Sequence, residues 1–240
     1  GARPASERKL QMVFQDPFSS LNPRRRIGDL IAEGAQVAGA AAMSVAQCLG
    51  HVGLDASVAD RYPHQFSGGQ RQRIAIARVL AARPRCLIAD EPISALDAST
   101  QASVARLLVS LVREFDMGLL LISHDLTIVR TIADVTAVMY LGQIVETGPS
   151  RDIWHDPAHP YTSGLIGAIP RPDGAGRLPT DLPGDVPDPA HPPAGCRFHP
   201  RCPVATADCA RVVPAIRAIS ETRRVSCHLA ETRRLAVGAS

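Results

Sequence analysis

Four short segments of this 240-residue chain carry residue types whose order and spacing fit phosphate chemistry. In Cys86-Leu-Ile-Ala-Asp-Glu-Pro an apolar run ends in two adjacent carboxylates, Asp90 and Glu91. Such a run predicts a strand buried on both faces of a parallel sheet, and open α/β sheets bind ligands at the carboxyl edge of their strands. There Asp90 would hold Mg²⁺, usually through water, and Glu91 would polarise an attacking water as general base. Leu119-Leu-Leu-Ile-Ser-His-Asp ends a second apolar run with His124, placed to reach a γ-phosphate from the neighbouring strand. In Phe66-Ser-Gly-Gly-Gln-Arg-Gln-Arg, Ser67 caps a helix while Gly68 and Gly69 leave backbone amides exposed at its N-terminus, an arrangement suited to an anion. A lone Ser-Gly-Gly reads equally as a glycine turn entering a helix; the carboxylate pair downstream gives it chemical meaning. Gln15 ends another apolar run before Asp16-Pro17 and would contact Mg²⁺ and the attacking water from a loop.

These residues need a scaffold that brings strand ends together. Leu10–Gln15 reads as a short buried strand and 16–26 as turn. From Ile27 to about Leu54 the pattern is helical, with Ile27, Leu30, Ile31 and Ala35 on one face. A loop over 55–67 leads to a helix from Gly68 to about Ala82, closed by Pro84. Strands are expected at Cys86–Ala89 and Leu119–Ser123, and helices at Gln101–Phe115 and near Leu126–Ala133. Val135–Tyr140 and Gln143–Glu146 read as two strands around the turn Leu141-Gly142. Strands alternating with helices imply an α/β fold with a largely parallel sheet. After Gly148 the composition changes, and the stretch 170–203 is dense in proline and reads as extended and irregular.

Composition bounds the rest. With 45% hydrophobic and 20% charged residues the chain can bury an ordinary core. A net charge of +3 is too small to argue for nucleic acid. The most apolar stretches, such as Met117–Ser123, are far shorter than the ~20 residues that a bilayer requires. Gly1–Leu10 is polar and charged, unlike a signal peptide, so a cytoplasmic location is expected.

In this order and spacing the segments resemble the nucleotide-binding domain of ABC ATPases over residues 8–148. Gln15 corresponds to the Q-loop, Ser67, Gly68, Gly69 and Gln70 to the signature, and Asp90 with Glu91 to the Walker B pair. Ser94-Ala95-Leu96-Asp97 corresponds to the D-loop and His124 to the switch histidine. Phe66 stands where the family usually has Leu. The family's phosphate loop, G-x-x-x-x-G-K-[ST], occurs nowhere in the 240 residues, and neither does the upstream aromatic that stacks on adenine. Both are expected in an N-terminal portion that this chain lacks. The resemblance narrows at Phe14-Gln15-Asp16-Pro17-Phe18-Ser19-Ser20-Leu21-Asn22-Pro23-Arg24, at Met139–Glu146 and at His159-Pro160-Tyr161-Thr162, which look like dipeptide and oligopeptide importers. Nickel importers share part of this pattern.

The expected fold class is therefore an ABC-type P-loop NTPase nucleotide-binding domain, a mostly parallel sheet plus a helical subdomain, without its N-terminal part. The partial ATPase domain is expected over 1–148 with the helical subdomain at about 17–82, and a peptide-importer-type C-terminal extension over 149–240. The resemblance implies ATP and Mg²⁺, a second ABC ATPase domain, identical or not, transmembrane permease subunits, an extracytoplasmic solute-binding protein acting indirectly, no nucleic acid, and a peripheral place on the cytoplasmic face of the membrane. Each composite site would take Asp90, Glu91 and His124 from one domain and Ser67–Gln70 from the other. The helical stretch 20–60, including Arg24–Arg26, would meet the permease. The rival expectations are a truncated chain that only donates its signature in trans, and a soluble ABC ATPase of DNA repair or translation.

Cys48 and Cys86 lie in apolar surroundings and read as plain buried residues. Cys196, Cys202, Cys209 and Cys227 gather in a tail poor in apolar residues. In a reducing compartment such a set suggests metal before disulfide. Four thiolates would complete a [4Fe–4S] cluster or a zinc site, with His199 and His228 as spare ligands; free cysteines are the alternative. Peptide-importer ATPase subunits resemble the pattern, and an iron–sulfur cluster is associated with some of them.

Overall fold

The computed structural model describes residues 10–16, 20–38, 42–169 and 182–230. The chain divides into two compact units, 1–132 and 133–240. Among the described residues no helix is long and apolar enough to cross a membrane.

The first unit is built on a parallel sheet of β1 (Leu10–Val13), β2 (Cys86–Asp90) and β3 (Gly118–Ile122), in that spatial order. Val13 pairs with Ala89 and Ala89 with Leu121, so the carboxyl ends of all three strands lie along one edge. Val13, Leu87 and Ala89 are buried, but Leu10, Leu120 and Ile122 are exposed, so the burial expected for the first and third strands is corrected: of these three only β2, with a strand on each side, lies inside the sheet. Among the described residues, the α-helices of this unit are α1 (Ile27–Ala38), α2 (Val45–His51), α3 (Gly68–Ala81), α4 (Ala98–Glu114) and α5 (Leu126–Ile132).

The core follows from helical spacing. Ile27, Leu30 and Ile31 recur at i, i+3 and i+4 on α1 and are at most 2% exposed. They share one apolar cluster with Ile74, Ile76 and Leu80 of α3 and Val104, Leu108 and Leu111 of α4. Each such fully buried aliphatic side chain contributes about 1.5–3 kcal/mol relative to exposure.

The continuous helix expected over 27–54 is corrected to two, α1 and α2. Ser44 starts the second with a capping box: its Oγ accepts from the Gln47 amide at 3.2 Å and Gln47 Oε1 accepts from the Ser44 amide at 2.9 Å. The first strand stops at Val13 rather than Gln15, and the helix expected from Gln101 starts at Ala98 because Asp97 caps it.

In the second unit β4 (Val135–Tyr140) and β5 (Gln143–Pro149) form an antiparallel hairpin. Leu141 and Gly142 both take positive φ, 44° and 78°, the twist that a two-residue hairpin turn demands. The short strands β6 (Arg217–Ala218) and β7 (Arg224–Val225) extend this sheet in the order β4-β5-β7-β6. Helices α6 (Ser150–His155) and α7 (Pro160–Gly167) follow the hairpin. Glu146 on β5 is fully buried and fully used: it accepts from the amides of Ala158 and His159, each at 2.9 Å, and from Arg223 Nη2 at 3.0 Å. Tyr140, Tyr161 and Phe198 pack ring against ring beside it, with centroids 4.7–5.3 Å apart.

Candidate active site

Gln15, Asp90, Glu91 and His124 all lie at or just past the carboxyl ends of the three parallel strands. Gln15 stands two residues past Val13 and Glu91 two residues past Ala89, so strand pairing sets them at matching heights. Asp90 is the last residue of β2, half-buried and paired with Ile122. Glu91 then turns over the edge with a left-handed φ of 43°. A non-glycine residue held there costs on the order of 1–3 kcal/mol and persists where the surroundings fix it. Its amide donates to the Ile122 carbonyl at 2.9 Å, which is one such constraint. The turn points the carboxylate at the next strand end, where Glu91 Oε1 lies 3.0 Å from His124 Nδ1. The Glu91 side chain is 26% exposed and that of His124 71%, so the pair is open on the imidazole side. With Nδ1–H donated to the carboxylate, Nε2 is left to face an incoming group. Gln15 is exposed beyond β1.

The glycine motif sits on its own well-capped helix. Ser67 Oγ accepts from the Gln70 amide at 3.3 Å and Gln70 Oε1 accepts from the Ser67 amide at 3.0 Å. That reciprocal bond uses the amides of the N-cap and third positions and leaves those of Gly68 and Gly69 outside the capping box at the start of α3. The Cα of Gly68 faces Leu96 Cδ2 and that of Gly69 faces Thr100, so the signature segment leans on the D-loop segment of the same chain.

Asp97 caps α4 with both oxygens. Oδ1 accepts from Ser99 Oγ at 2.7 Å and from the Thr100 amide at 3.0 Å, and Oδ2 accepts from Thr100 Oγ1 at 2.7 Å. These bonds, Ser99 first, hold its carboxyl far below the ordinary carboxylate range. Sequence reasoning missed Ser99 and Thr100; the signal was the Asp-x-x-Thr spacing of an N-cap.

The four tail cysteines have separate surroundings. Cys196 and Cys202 pack on the Tyr140–Val145–Phe198 cluster, and Cys227 is buried with Ala158 and Val225. Cys209 Sγ lies 3.4 Å from Thr206 Oγ1. None of the four is disulfide-bonded, and among the described residues no group of three or more His, Cys, Asp or Glu is placed to hold a metal. The spare ligands are engaged elsewhere: His199 Nδ1 lies 2.9 Å from the Cys196 carbonyl and His228 Nε2 2.9 Å from that of Val212. The expected iron–sulfur or zinc ligand set is therefore not formed as these side chains stand. The Cys196 amide donates to the Cys209 carbonyl at 2.8 Å. Burial pushes the Cys196 thiol up, with smaller contributions from the charge of Cys209, Cys227 and Cys202.

Comparison with known proteins supports the same assignment. The ABC transporter family profile matches residues 1–94, and that of the oligopeptide/dipeptide transporter C-terminal region matches 145–209. The chain is 47% identical over 231 residues to a probable peptide ABC transporter ATP-binding protein of Sinorhizobium fredii, covering 94% of this chain and 65% of that one. It is 45% identical to the oligopeptide transport ATP-binding protein AppF of Bacillus subtilis, over 95% of this chain and 71% of that protein. With the di/tripeptide transport ATP-binding protein DppF of Pseudomonas aeruginosa it shares 46% identity over 93% and 71%. The chain thus spans about two thirds of the length of these curated relatives. Among solved structures, cbiO1 of Clostridium perfringens, part of an ABC transporter complex, aligns with a TM-score of 0.56 and 28% identity over 62% of this chain and 60% of that chain. An ATP-binding cassette captured as a post-hydrolysis dimer with ADP and Pi aligns at 0.53 with 30% identity, over 61% and 66%. Strand-edge carboxylates, capped glycine helix, fold and relatives agree: this chain belongs to the ATP-binding proteins of the peptide ABC transporter family.

Proposed function

We propose that the protein containing these 240 residues hydrolyses MgATP to power uptake of di- or oligopeptides across the cytoplasmic membrane. The observation that carries this reading is the Glu91–His124 pair, 3.0 Å apart across the ends of adjacent parallel strands. Glu91 takes the proton of the attacking water, and its hydrogen bond to His124 fixes where the carboxylate points. The outward-facing imidazole nitrogen donates to the γ-phosphate when the ring is the imidazolium, the form in which both nitrogens carry hydrogen. Asp90 and Gln15, on the same edge, are the residues that would hold Mg²⁺, whose charge supports phosphoryl transfer. Ser67–Gln70 and Asp97 face a second ATPase domain, so that ATP closes the pair and hydrolysis releases it. The remaining partners are permease subunits and, through them, an extracytoplasmic solute-binding protein, which places the subunit on the cytoplasmic face of the membrane. Names of relatives that specify oligopeptide or di/tripeptide transport support peptide over nickel as the solute. In cells lacking the gene, uptake of a labelled dipeptide and tripeptide should return with the wild-type gene and not with Glu91→Gln; restored uptake with the mutant overturns the reading.

We further propose that Cys196, Cys202, Cys209 and Cys227 take up one metal centre, iron–sulfur or alternatively zinc, that closes the tail. The Cys196 amide bond to the Cys209 carbonyl, 2.8 Å, supports only a proximity of those two, so the other thiols would have to move to complete the set, and no step of hydrolysis runs through it. Iron and sulfide, or about one zinc per chain, in anaerobically purified protein is the expected result. Metal-free protein with an equally protease-resistant tail overturns it.

A further inference from the structure

The signature glycines are ordinarily a matter of what approaches them from outside. In this chain Gly69 has an internal constraint. A Cβ at Gly69 would land well inside van der Waals contact with Thr100 Cγ2. A clash with the end of a side chain is cheap when that side chain can swing away. Thr100 is not free to do so: its Oγ1 donates to Asp97 Oδ2 at 2.7 Å, and its amide donates to Asp97 Oδ1 at 3.0 Å. The hydroxyl sets χ1, and χ1 sets the methyl against the Gly69 Cα. Two further contacts run alongside. Leu96 Cδ2 sits where a Gly68 Cβ would approach to 3.3 Å. One turn on, Arg73 Nη2 donates to Ser103 Oγ at 2.9 Å and Arg73 Nη1 to the Val52 carbonyl at 2.6 Å. The start of α3 and the start of α4 are thereby pinned together at successive turns.

We propose that Thr100 is a positioning residue: its methyl, oriented by Asp97, seats Gly69 and makes the signature segment and the D-loop segment one rigid piece. On the proposed reading, which this inference extends, both segments face the second ATPase domain. A rigid link between them means that a nucleotide contact at Ser67–Gln70 and a contact at Asp97 are made or lost together. Thr100 itself touches no substrate.

The test is compensation. In the complete protein, Gly69→Ala should lower kcat roughly tenfold or more, because α3 must shift away from α4. Thr100→Ser keeps the hydroxyl on Asp97 and removes only the methyl; combined with Gly69→Ala it should recover most of the lost kcat. Gly69→Ala with Thr100→Val, which keeps a methyl at that position and loses the hydroxyl, should not recover. A Gly69→Ala/Thr100→Ser protein as inactive as Gly69→Ala overturns the proposal, because the glycine would then be needed only for approach from outside. The same variants in the 240-residue chain give a readout without hydrolysis. Gly69→Ala should lower the melting midpoint and Thr100→Ser should restore it. If Thr100→Ser restores the melting midpoint of Gly69→Ala but the complete wild-type protein shows no ATPase activity, Thr100 stands as the seat of Gly69 and the hydrolytic reading falls instead. No melting difference between Gly69→Ala and wild type overturns the seat.

Discussion

Glu91 reaches His124 only because its backbone leaves β2 in the left-handed region, which carries the carboxylate sideways to the end of β3 and brings Oε1 to 3.0 Å from Nδ1. The imidazole is 71% exposed and packs little, so its loss should be felt in rate and not in folding. His124→Ala in the complete protein should lower kcat by roughly 10²-fold, the lower range for losing an acid–base or orienting group, with the melting midpoint unchanged. An unaltered ATPase rate would remove His124 from the mechanism.

The 240 residues contain Asp90, Glu91 and His124 but no Gly-x-x-x-x-Gly-Lys-Ser/Thr loop to hold the β- and γ-phosphates. As an isolated polypeptide they should show weak nucleotide binding and negligible hydrolysis. Titration with a fluorescent ATP analogue and a phosphate-release assay check this. Turnover that disappears in Glu91→Gln would show that the present residues suffice.

The buried Glu146–Arg223 pair anchors the second unit. Arg223 also bonds Asp156 through both the side chain, at 3.4 Å, and the backbone carbonyl. Glu146→Ala would leave two buried amides without their acceptor and Arg223, a residue 8% exposed, with only its Asp156 contacts. The expected loss is about 3–5 kcal/mol, the usual penalty for breaking a buried pair from one side. Urea unfolding of wild type and mutant measures it, and a loss below about 1 kcal/mol, the range of exposed pairs, would contradict this account.

His159 is 1% exposed, and burial pushes its pKa down to about 4. Its Nδ1 accepts from the Tyr161 amide at 3.0 Å, a bond that only the neutral ring can make. Between about 4 and the ordinary histidine value of 6.5 the unfolded chain binds a proton that the folded chain does not. Stability from this residue is therefore full above about 6.5 and is lost as pH falls toward 4, by on the order of 3 kcal/mol. His159→Asn keeps an acceptor for the Tyr161 amide and cannot titrate, so its stability should be flatter over that window. Parallel pH profiles for the two proteins would contradict the assignment.

Much of the site was legible because its residues end apolar runs. Cys86-Leu-Ile-Ala and Leu119-Leu-Leu-Ile announce strands, though the second is exposed at Leu120 and Ile122, and residues that follow such strands lie on the edge. The break between Ala38 and Val45 was readable too, in Ser44-x-x-Gln47, but a continuous apolar period across it hid the cap. The positive φ of Glu91 and the three-residue extension of α4 back to Ala98 depend on tertiary contacts and on Asp97 as a cap. The Glu146–Arg223 pair joins positions 77 apart, and nothing local marks either residue as buried. The seat of Gly69 on Thr100 is likewise a contact between two helix starts that are separated in sequence by β2.

The most direct test of the account is hydrolysis by the complete protein carrying Glu91→Gln. Losing the general base should cut ATPase turnover by about 10²–10⁴-fold while ATP binding persists. ATP-bound pairs of the ATPase domains should then accumulate on size-exclusion chromatography. A mutant that hydrolyses ATP at the wild-type rate would place the base elsewhere and contradict the role assigned to the Glu91–His124 edge.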